Sequence, residues 1–135
     1  MRDIKFRAWD KEDKCMVEVD SIHFPLGKPS GKDITVYNRE SDCYEWIYNY
    51  ELMQFIGIKD EYTKDIYEGD IVERIDRTPI ASMYGKIVIG IAGFDNGSFV
   101  LNTDEGAYSM NNKKFSNMCS YRVIGNIYEN PELLG

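Results

Sequence analysis

The sequence has one histidine, three cysteines and no long apolar run, and each deficit excludes a class of protein. Cys15, Cys43 and Cys119 are widely spaced, odd in number and outside any Cys-x-x-Cys pair, so neither a disulfide framework nor a cysteine-rich zinc site is predicted. With His23 as the sole histidine, a zinc site would need carboxylate ligands, and a cysteine–histidine enzyme would have one histidine to use. We therefore predict free thiols in a reducing compartment, no metal and no cofactor.

Long apolar segments are also missing. No run approaches the ~18 residues that a membrane span requires, and Met1–Asp10 lacks the apolar core of a secretory signal. The expectation is a cytoplasmic protein without a membrane partner. The 135 residues are enough for one domain, or for two small lobes sharing a core.

Basic residues are fewer than acidic ones, 16 against 23, which gives a net charge of −7. The acidic excess is concentrated in residues 51–80, which contain eight acidic and four basic residues. This segment contributes −4 of the net charge of −7. An acidic chain repels phosphate backbones, so nucleic-acid binding is disfavoured. The charge serves solubility or provides a surface for basic protein partners, and both interpretations stay open.

The chain is organised around its central segment, Glu51–Val72. Two apolar runs, Leu52–Ile58 and Ile66–Val72, flank the polar tract Lys59–Asp65, which predicts a hairpin. Glycine in Glu68–Asp70 permits a sharp bend, so the chain is expected to enter the next sheet there.

The N-terminal third predicts a second hairpin. Alternation in Ile4–Trp9, a polar turn at Asp10–Lys14 and a return over Met16–Phe24 are typical of two antiparallel strands. Two prolines and two glycines make Pro25–Asp33 an irregular loop, and Ile34–Tyr37 is a short strand.

Four aromatic residues follow at every second position: Tyr44, Trp46, Tyr48 and Tyr50. On an extended strand they would share one face, which is a candidate recognition surface because these rings give contact area at little rotamer cost. The alternative is that the stripe covers a core or a subunit contact. A short helix in this region lacks the 3.6-residue period.

The C-terminal half predicts five short strands with glycine at the corners, which suggests an SH3-like barrel. Asp95–Gly97 is a tight turn, Thr103–Ser116 a polar loop, and Asn130 the N-cap of a final helical turn that begins at Pro131. The predicted fold is mainly β with little helix: an N-terminal β-hairpin lobe over residues 1–65 and an SH3-like barrel over residues 66–135.

Three segments together resemble the YopX family, small proteins of phages and prophages of Gram-positive bacteria: IKFRAWD at Ile4–Asp10, ELMQFIGIKD and DIYEGDIV within Glu51–Val72, and VIGNIYENPELL at Val123–Leu134. The sequence departs from the family at Glu61–Lys64, where relatives often place Asn-Gly in the turn. The resemblance implies a mainly β fold with an SH3-like barrel and no reaction, because the family has no established activity. Positions matching the family pattern, with no role implied, are Arg7, Trp9, Asp10, Gln54, Gly57, Tyr67, Glu68, Gly69, Asp70, Gly125, Asn126 and Tyr128.

The residue pattern allows two further kinds of site, a carboxylate pair and a nucleic-acid-binding surface. Glu68 and Asp70 would share a face of an extended strand, with Asp10 as a third carboxylate, and paired carboxylates support acid–base work or Mg²⁺ binding. Neither a nucleophile nor a basic substrate clamp accompanies them. A nucleic-acid surface on the barrel would use basic and aromatic residues interleaved with acids: Arg74, Arg77, Lys86, Lys113, Lys114 and Arg122, with Tyr84, Phe94 and Tyr108.

The sequence therefore favours a small non-enzymatic binding protein of phage or prophage origin that engages a host or phage protein through residues 44–50. The alternatives are a nucleic-acid-binding barrel and, less favoured, a carboxylate-dependent hydrolase. Self-association is left open, because exposed strand edges invite pairing.

Overall fold

The protein consists of antiparallel strands in two sheets, as seen in a computed structural model that describes residues 1–27, 34–77, 85–110 and 118–135. Within these ranges the helical content is two 3₁₀ turns, Ile47–Asn49 and Pro131–Leu134. The predicted mainly β fold class is confirmed. No helix among the described residues is long and apolar enough to cross a membrane.

The chain divides by its internal contacts into two compact units, Met1–Phe55 and Ile56–Gly135. The division falls inside the fifth strand, earlier than the predicted boundary after residue 65. The strands of the first unit are β1 (Phe6–Asp10), β2 (Cys15–His23), β3 (Thr35–Asn38), β4 (Cys43–Trp46) and the first part of β5 (Tyr50–Lys59). Those of the second are the rest of β5, β6 (Asp65–Tyr67), β7 (Asp70–Asp76), β8 (Ile87–Asp95), β9 (Ser98–Thr103), β10 (Gly106–Ser109) and β11 (Cys119–Asn126).

The first sheet has the strand order β4-β3-β2-β1-β5-β6. β1 and β2 pair in register from Phe6 opposite Val19 to Asp10 opposite Cys15, which confirms the N-terminal hairpin. β3 lies close to the predicted strand at residues 34–37. The core of the first unit is formed by four buried residues, Ala8, Val17, Val36 and Tyr50.

Strands β5 and β6 are neighbours in this sheet, as the apolar runs of the central segment predict. The carboxylate of Asp60 organises the turn between them: Oδ1 accepts the backbone N–H groups of Tyr62 and Lys64, and Oδ2 accepts that of Val123. After β6 the chain turns at Glu68-Gly69 and enters the second sheet as β7, which confirms the predicted change of sheet.

The second sheet has the order β10-β9-β8-β7-β11. The last strand lies beside the first strand of this sheet, an order compatible with the expected SH3-like barrel. The β8–β9 turn takes positive φ at Asn96 and Gly97, +47° and +77°, as an Asn-Gly hairpin turn requires. Buried residues of the core are Ile56, Ile66, Val72, Ala92, Phe99, Leu101 and Met110.

Two predicted features of the C-terminal half differ. The expected loop at 103–116 contains strand β10. The hydroxyl of Thr103 closes a tight turn before this strand, because it accepts the N–H of Glu105 and donates to the carbonyl of Gly106. Residues 111–117 lie outside the described ranges. Asn130 occupies the N-cap position, but its side chain makes no cap bond, since its Oδ1 accepts the N–H of Asn126, and the turn that follows is 3₁₀.

Candidate binding surface

The alternating aromatic residues begin on β4, the outermost strand of the described part of the first sheet. Tyr44 and Trp46 point to the same side because side chains two residues apart on a strand share a face. Tyr44 is 59% exposed and Trp46 47% exposed, and Tyr48 in the following 3₁₀ turn is 58% exposed. Three large rings of this segment are therefore available at the surface of the first unit.

These rings are joined by two others. Trp46 and Tyr48 stack with ring centroids 6.4 Å apart and an interplanar angle of 7°. Tyr44 meets Tyr37 of β3 edge to face at 5.4 Å and His23 of β2 at 6.4 Å. We call the five residues His23, Tyr37, Tyr44, Trp46 and Tyr48 the aromatic face.

Tyr37 is fixed at this surface by a hydrogen bond from its hydroxyl to Asp42 Oδ1. That bond, followed by a small burial effect and the negative charge of Asp42, raises the pKa of Tyr37 above its ordinary value. The hydroxyl therefore keeps its proton and its hydrogen bond throughout the neutral range, and the ring is held in position beside Tyr44.

The interpretation of Tyr50 as a fourth exposed ring is wrong. The 3₁₀ turn at Ile47–Asn49 interrupts the extended backbone, so the alternation does not continue through it. Tyr50 begins β5, is 4% exposed and belongs to the core of the first unit. Its hydroxyl accepts a hydrogen bond from Nδ2 of Asn38 at 3.0 Å.

The edge of β4 that faces away from β3 is formed by residues that also carry exposed rings. Ile47 N–H donates to the carbonyl of Ile34, and hydrogen-bonded pairs alternate along an antiparallel ladder. Val36 of β3 and Glu45 of β4 therefore bond to each other, whereas the N–H and C=O of Tyr44 and the N–H of Trp46 face away from β3. The carbonyl of Trp46, the N-cap residue, belongs to the 3₁₀ turn that follows.

A cleft of about 250 Å³ lies in the same unit and was not anticipated from the sequence. Its described lining carries five carboxylates and no basic side chain. We call it the acidic cleft; its lining residues are Asp10, Glu12, Asp13, Asn38, Glu40, Ser41, Glu45, Asn49 and Tyr50.

Two buried polar residues shape the acidic cleft by closing the turns beside it. Oδ1 of Asp10 accepts the N–H groups of Glu12 and Asp13, and Oδ1 of Asn38 accepts that of Glu40. The signal in the sequence is an Asp or Asn at the start of each polar turn, with its partners two or three residues later. The two turns are distant in the chain, so their proximity could not be predicted.

The basic side chains near the cleft are bound elsewhere. Nζ of Lys11 lies 3.1 Å from Glu51 and donates to the carbonyl of Tyr48 at 3.0 Å. Arg39 pairs with Asp20 at 2.5 Å. These contacts direct the two cations to other partners.

The family-pattern residues around β6 and β7 build a turn. Oδ2 of Asp70, which is 1% exposed, accepts the N–H of Tyr67 at 2.8 Å. Gly69 takes φ +83°, and its N–H and carbonyl bond the backbone of Ala92 and Ile127. The carboxylate of Asp70 therefore stabilises the turn between β6 and β7.

The expected pairing of Glu68 and Asp70 on one strand face is wrong, because β6 ends at Tyr67 and β7 begins at Asp70, with the turn between them. Asp10 likewise accepts backbone N–H groups in its own turn. Among the residues that the structure describes, no group of three or more His, Cys, Asp or Glu side chains could hold a metal ion.

The C-terminal family-pattern residues form a second turn. Oδ1 of Asn126 accepts the N–H groups of Tyr128 and Glu129, while Oδ1 of Asn130 accepts the N–H of Asn126. Gly125 lies at a register shift between β11 and β7.

The remaining family-pattern positions lie on strands of the first sheet. Arg7 and Trp9 are partly buried on β1, and the guanidinium of Arg7 approaches the sulfur of Met53 at 3.8 Å. Gln54 is partly buried on β5, and Gly57 on the same strand takes φ +89°.

The described cations considered for nucleic-acid binding are all paired with carboxylates. Arg122 contacts Glu61 at 2.7 Å, and Arg77 contacts the same residue at 3.5 Å. Arg74 lies 3.5 Å from Asp76 and also over the ring of Tyr108. Lys86 pairs with Glu105 at 2.8 Å. Of the aromatic residues considered for the same surface, Phe94 is 58% exposed. Tyr84, Lys113 and Lys114 lie outside the described residues.

Comparison with known proteins identifies a family and solved structures of similar fold. The model of the family described as YopX protein matches residues 5–135. Protein EF1440 from Enterococcus faecalis is 25% identical with a TM-score of 0.61, and the match covers 100% of both chains. Protein yopX from Bacillus subtilis is 22% identical with a TM-score of 0.64, over 100% of this chain and 98% of the other. No curated protein matches the sequence.

Proposed function

The chain belongs to the YopX family, and on that premise we propose that it is a non-enzymatic module that binds a host or phage protein through its aromatic face. The observation that carries the proposal is the exposure of three large rings, Tyr44 and Trp46 on the edge strand β4 and Tyr48 in the 3₁₀ turn that follows it. Tyrosine and tryptophan are the residues that most often dominate protein interfaces, because they give large contact area at low entropic cost.

The packing of the rings supports a binding role. Stacking of Trp46 on Tyr48 and the edge contact of Tyr44 with Tyr37 hold the rings in one arrangement before any partner arrives. A surface fixed in advance loses less conformational entropy on binding.

The contacts of the carboxylates support binding over catalysis. The carboxylates of Asp10 and Asp70 accept hydrogen bonds from backbone N–H groups, which is a structural role. The ion pairs of Arg74, Arg77, Lys86 and Arg122 favour a protein partner over nucleic acid, since their charges are already matched. The proposed compartment is the bacterial cytoplasm, which suits the three free thiols.

The test is capture of partners from bacterial lysate by the tagged protein, with and without nuclease, read by mass spectrometry. Trp46→Ala and Tyr48→Ala should each lose the same captured protein while keeping the wild-type circular dichroism and unfolding midpoint. Phe94→Ala, an equally exposed ring in the second unit, is the matched control and should retain it.

The proposal fails if Trp46→Ala and Tyr48→Ala capture as well as Phe94→Ala does. Capture that disappears with nuclease would favour the nucleic-acid alternative.

A further inference from the structure

We propose that the occupant of the aromatic face is an extended, positively charged polypeptide segment that adds to β4 as a further strand; this inference rests on the proposed function. It specifies both the conformation of the partner and the chemistry of its side chains. Three features of the first unit support it: the outer edge of β4, the exposed rings and the charge of the acidic cleft.

The edge offers main-chain hydrogen bonds. β4 is the outermost strand of the described sheet, and the N–H and C=O of Tyr44 and the N–H of Trp46 face away from β3. An exposed edge of this kind accepts an added strand, whose main-chain bonds supply affinity irrespective of sequence.

The rings provide the side-chain contacts. Tyr44 and Trp46 carry both the outward backbone groups and the exposed rings, so an added strand would lay alternate side chains along the aromatic face. Specificity in strand addition comes from contacts to these alternate side chains.

The charge selects a basic partner. The side chain between the two rings, Glu45, lies on the other face of β4 and lines the acidic cleft with Asp10, Glu12, Asp13 and Glu40. Side chains of the added strand that point to this face approach carboxylates without a basic neighbour in the described lining, so lysine or arginine is favoured there.

Charge also argues against two other occupants. A second copy of the chain, paired edge to edge, would bring its own Glu45 and Glu40 toward the same carboxylates, and like charges in contact are unfavourable. A nucleic-acid strand would bring phosphates to the acidic cleft. The expected partner sequence alternates apolar or aromatic residues with lysine or arginine.

Trp46 permits a direct test of the main-chain bond. Its φ of −66° is the value that proline adopts, and its N–H makes no bond to β3, so Trp46→Pro is compatible with the strand and deletes the outward donor. Trp46→Ala is the matched control, since it removes the ring but keeps the N–H. The difference between the two variants reports the backbone bond.

The probes are synthetic peptides in which valine or tyrosine alternates with lysine. Two control peptides have glutamate in place of lysine or N-methyl groups on the backbone, and each peptide is titrated against the full-length protein. We expect the lysine peptide to bind, the glutamate and N-methylated peptides to fail, and Trp46→Pro to bind about tenfold more weakly than Trp46→Ala. Glu45→Gln should lower the affinity for the lysine peptide and make this affinity less sensitive to added salt. Glu105→Gln in the second unit should change neither the affinity nor its salt dependence.

A second readout uses Cys43, an exposed thiol on β4. Bound lysine peptide should slow its alkylation, and the same peptide concentration should slow alkylation of the Trp46→Pro variant less than that of Trp46→Ala.

Equal binding by Trp46→Pro and Trp46→Ala would overturn strand addition, and equal binding of the lysine and glutamate peptides would overturn the charge rule. Absence of binding by every peptide, or concentration-dependent dimers that Trp46→Pro abolishes, would also overturn the inference. In each case the proposed function stands as long as Trp46→Ala and Tyr48→Ala lose the captured protein. It fails by itself if they retain it.

Discussion

The side-chain amide of Asn38 donates to the hydroxyl of Tyr50 at 3.0 Å, and this bond links the core of the first unit to the acidic cleft. The same amide nitrogen reaches Oε2 of Glu45 at 3.2 Å, while Oδ1 accepts the N–H of Glu40. One buried side chain therefore fixes a core ring, a cleft carboxylate and a turn.

The first prediction concerns this bond. Tyr50→Phe keeps the ring and removes the acceptor, so the free energy of unfolding should fall by about 1 kcal/mol, the usual net value of a hydrogen bond. Asn38→Ala should cost more, about 2–3 kcal/mol, because it also leaves backbone N–H groups of the turn without their acceptor. Urea denaturation measures both. Tyr48→Phe, which alters an exposed ring, is the control, and a Tyr50→Phe variant as stable as this control would contradict the prediction.

The second prediction concerns Gly125. A Cβ at this position would lie 2.6 Å from Oδ1 of Asn130, which itself accepts the N–H of Asn126. Gly125→Ala should therefore lower the free energy of unfolding by about 1–3 kcal/mol, because the asparagine must move.

A double-mutant cycle separates this clash from other effects of the methyl group. In the Asn130→Gly background the Oδ1, Cγ and Cβ atoms that lie 2.6, 2.8 and 2.9 Å from the added methyl group are all gone, so Gly125→Ala should cost clearly less than in the wild type. Additive costs measured by thermal unfolding would show that Asn130 is not the cause.

The hairpins could be predicted from sequence because alternation and turn residues act locally. Asn96 and Gly97 supply the positive φ that a two-residue turn needs, and Ala8 and Val17 fall on the buried face of their strands. The Glu68–Asp70 bend was also visible, since glycine marked the point where the chain leaves one sheet for the other.

The candidate surface was predicted in part, because three rings are exposed and one is not. Tyr48 lies within a three-residue 3₁₀ turn that separates Trp46 from Tyr50, and the stability of this turn depends on contacts that no local pattern reveals. The acidic cleft could not be predicted at all, since it forms where turns at Asp10 and Asn38 meet the start of β5.

The third prediction concerns the pH dependence of stability through Asp60. Burial raises the pKa of this carboxyl, but bonds from the N–H groups of Val123, Lys64 and Tyr62 outweigh it and hold the pKa below its ordinary value. A folded pKa below the unfolded one stabilises the protein above the unfolded pKa, and this contribution is lost as the pH falls through the folded pKa.

The variant Asp60→Asn should accordingly be less stable than the wild type near neutral pH, by about 1–3 kcal/mol, and the gap should narrow in acid. Urea denaturation at several pH values measures the gap. Asp104→Asn, at an exposed turn position, should show no such pattern. A gap that stays constant down to acid pH would rule out the carboxylate's role.

The fourth prediction concerns Tyr121, whose pKa is raised to about 12 by burial first and then by the neighbouring Cys119, which donates to its hydroxyl at 3.7 Å. Ultraviolet titration curves are recorded for the wild type and for Tyr121→Phe, and the second is subtracted from the first. The difference should show one phenol whose pKa is about 12, compared with the ordinary 10.0, while the circular dichroism stays native. Because the folded pKa is the higher one, the stabilisation is complete below the unfolded pKa and is lost as the pH rises toward 12. Tyr121→Phe should therefore lose less stability in alkali than the wild type. Cys119→Ala, which leaves the burial largely intact, should lower the pKa only slightly, and a difference titration centred near 10.0 would refute the assignment.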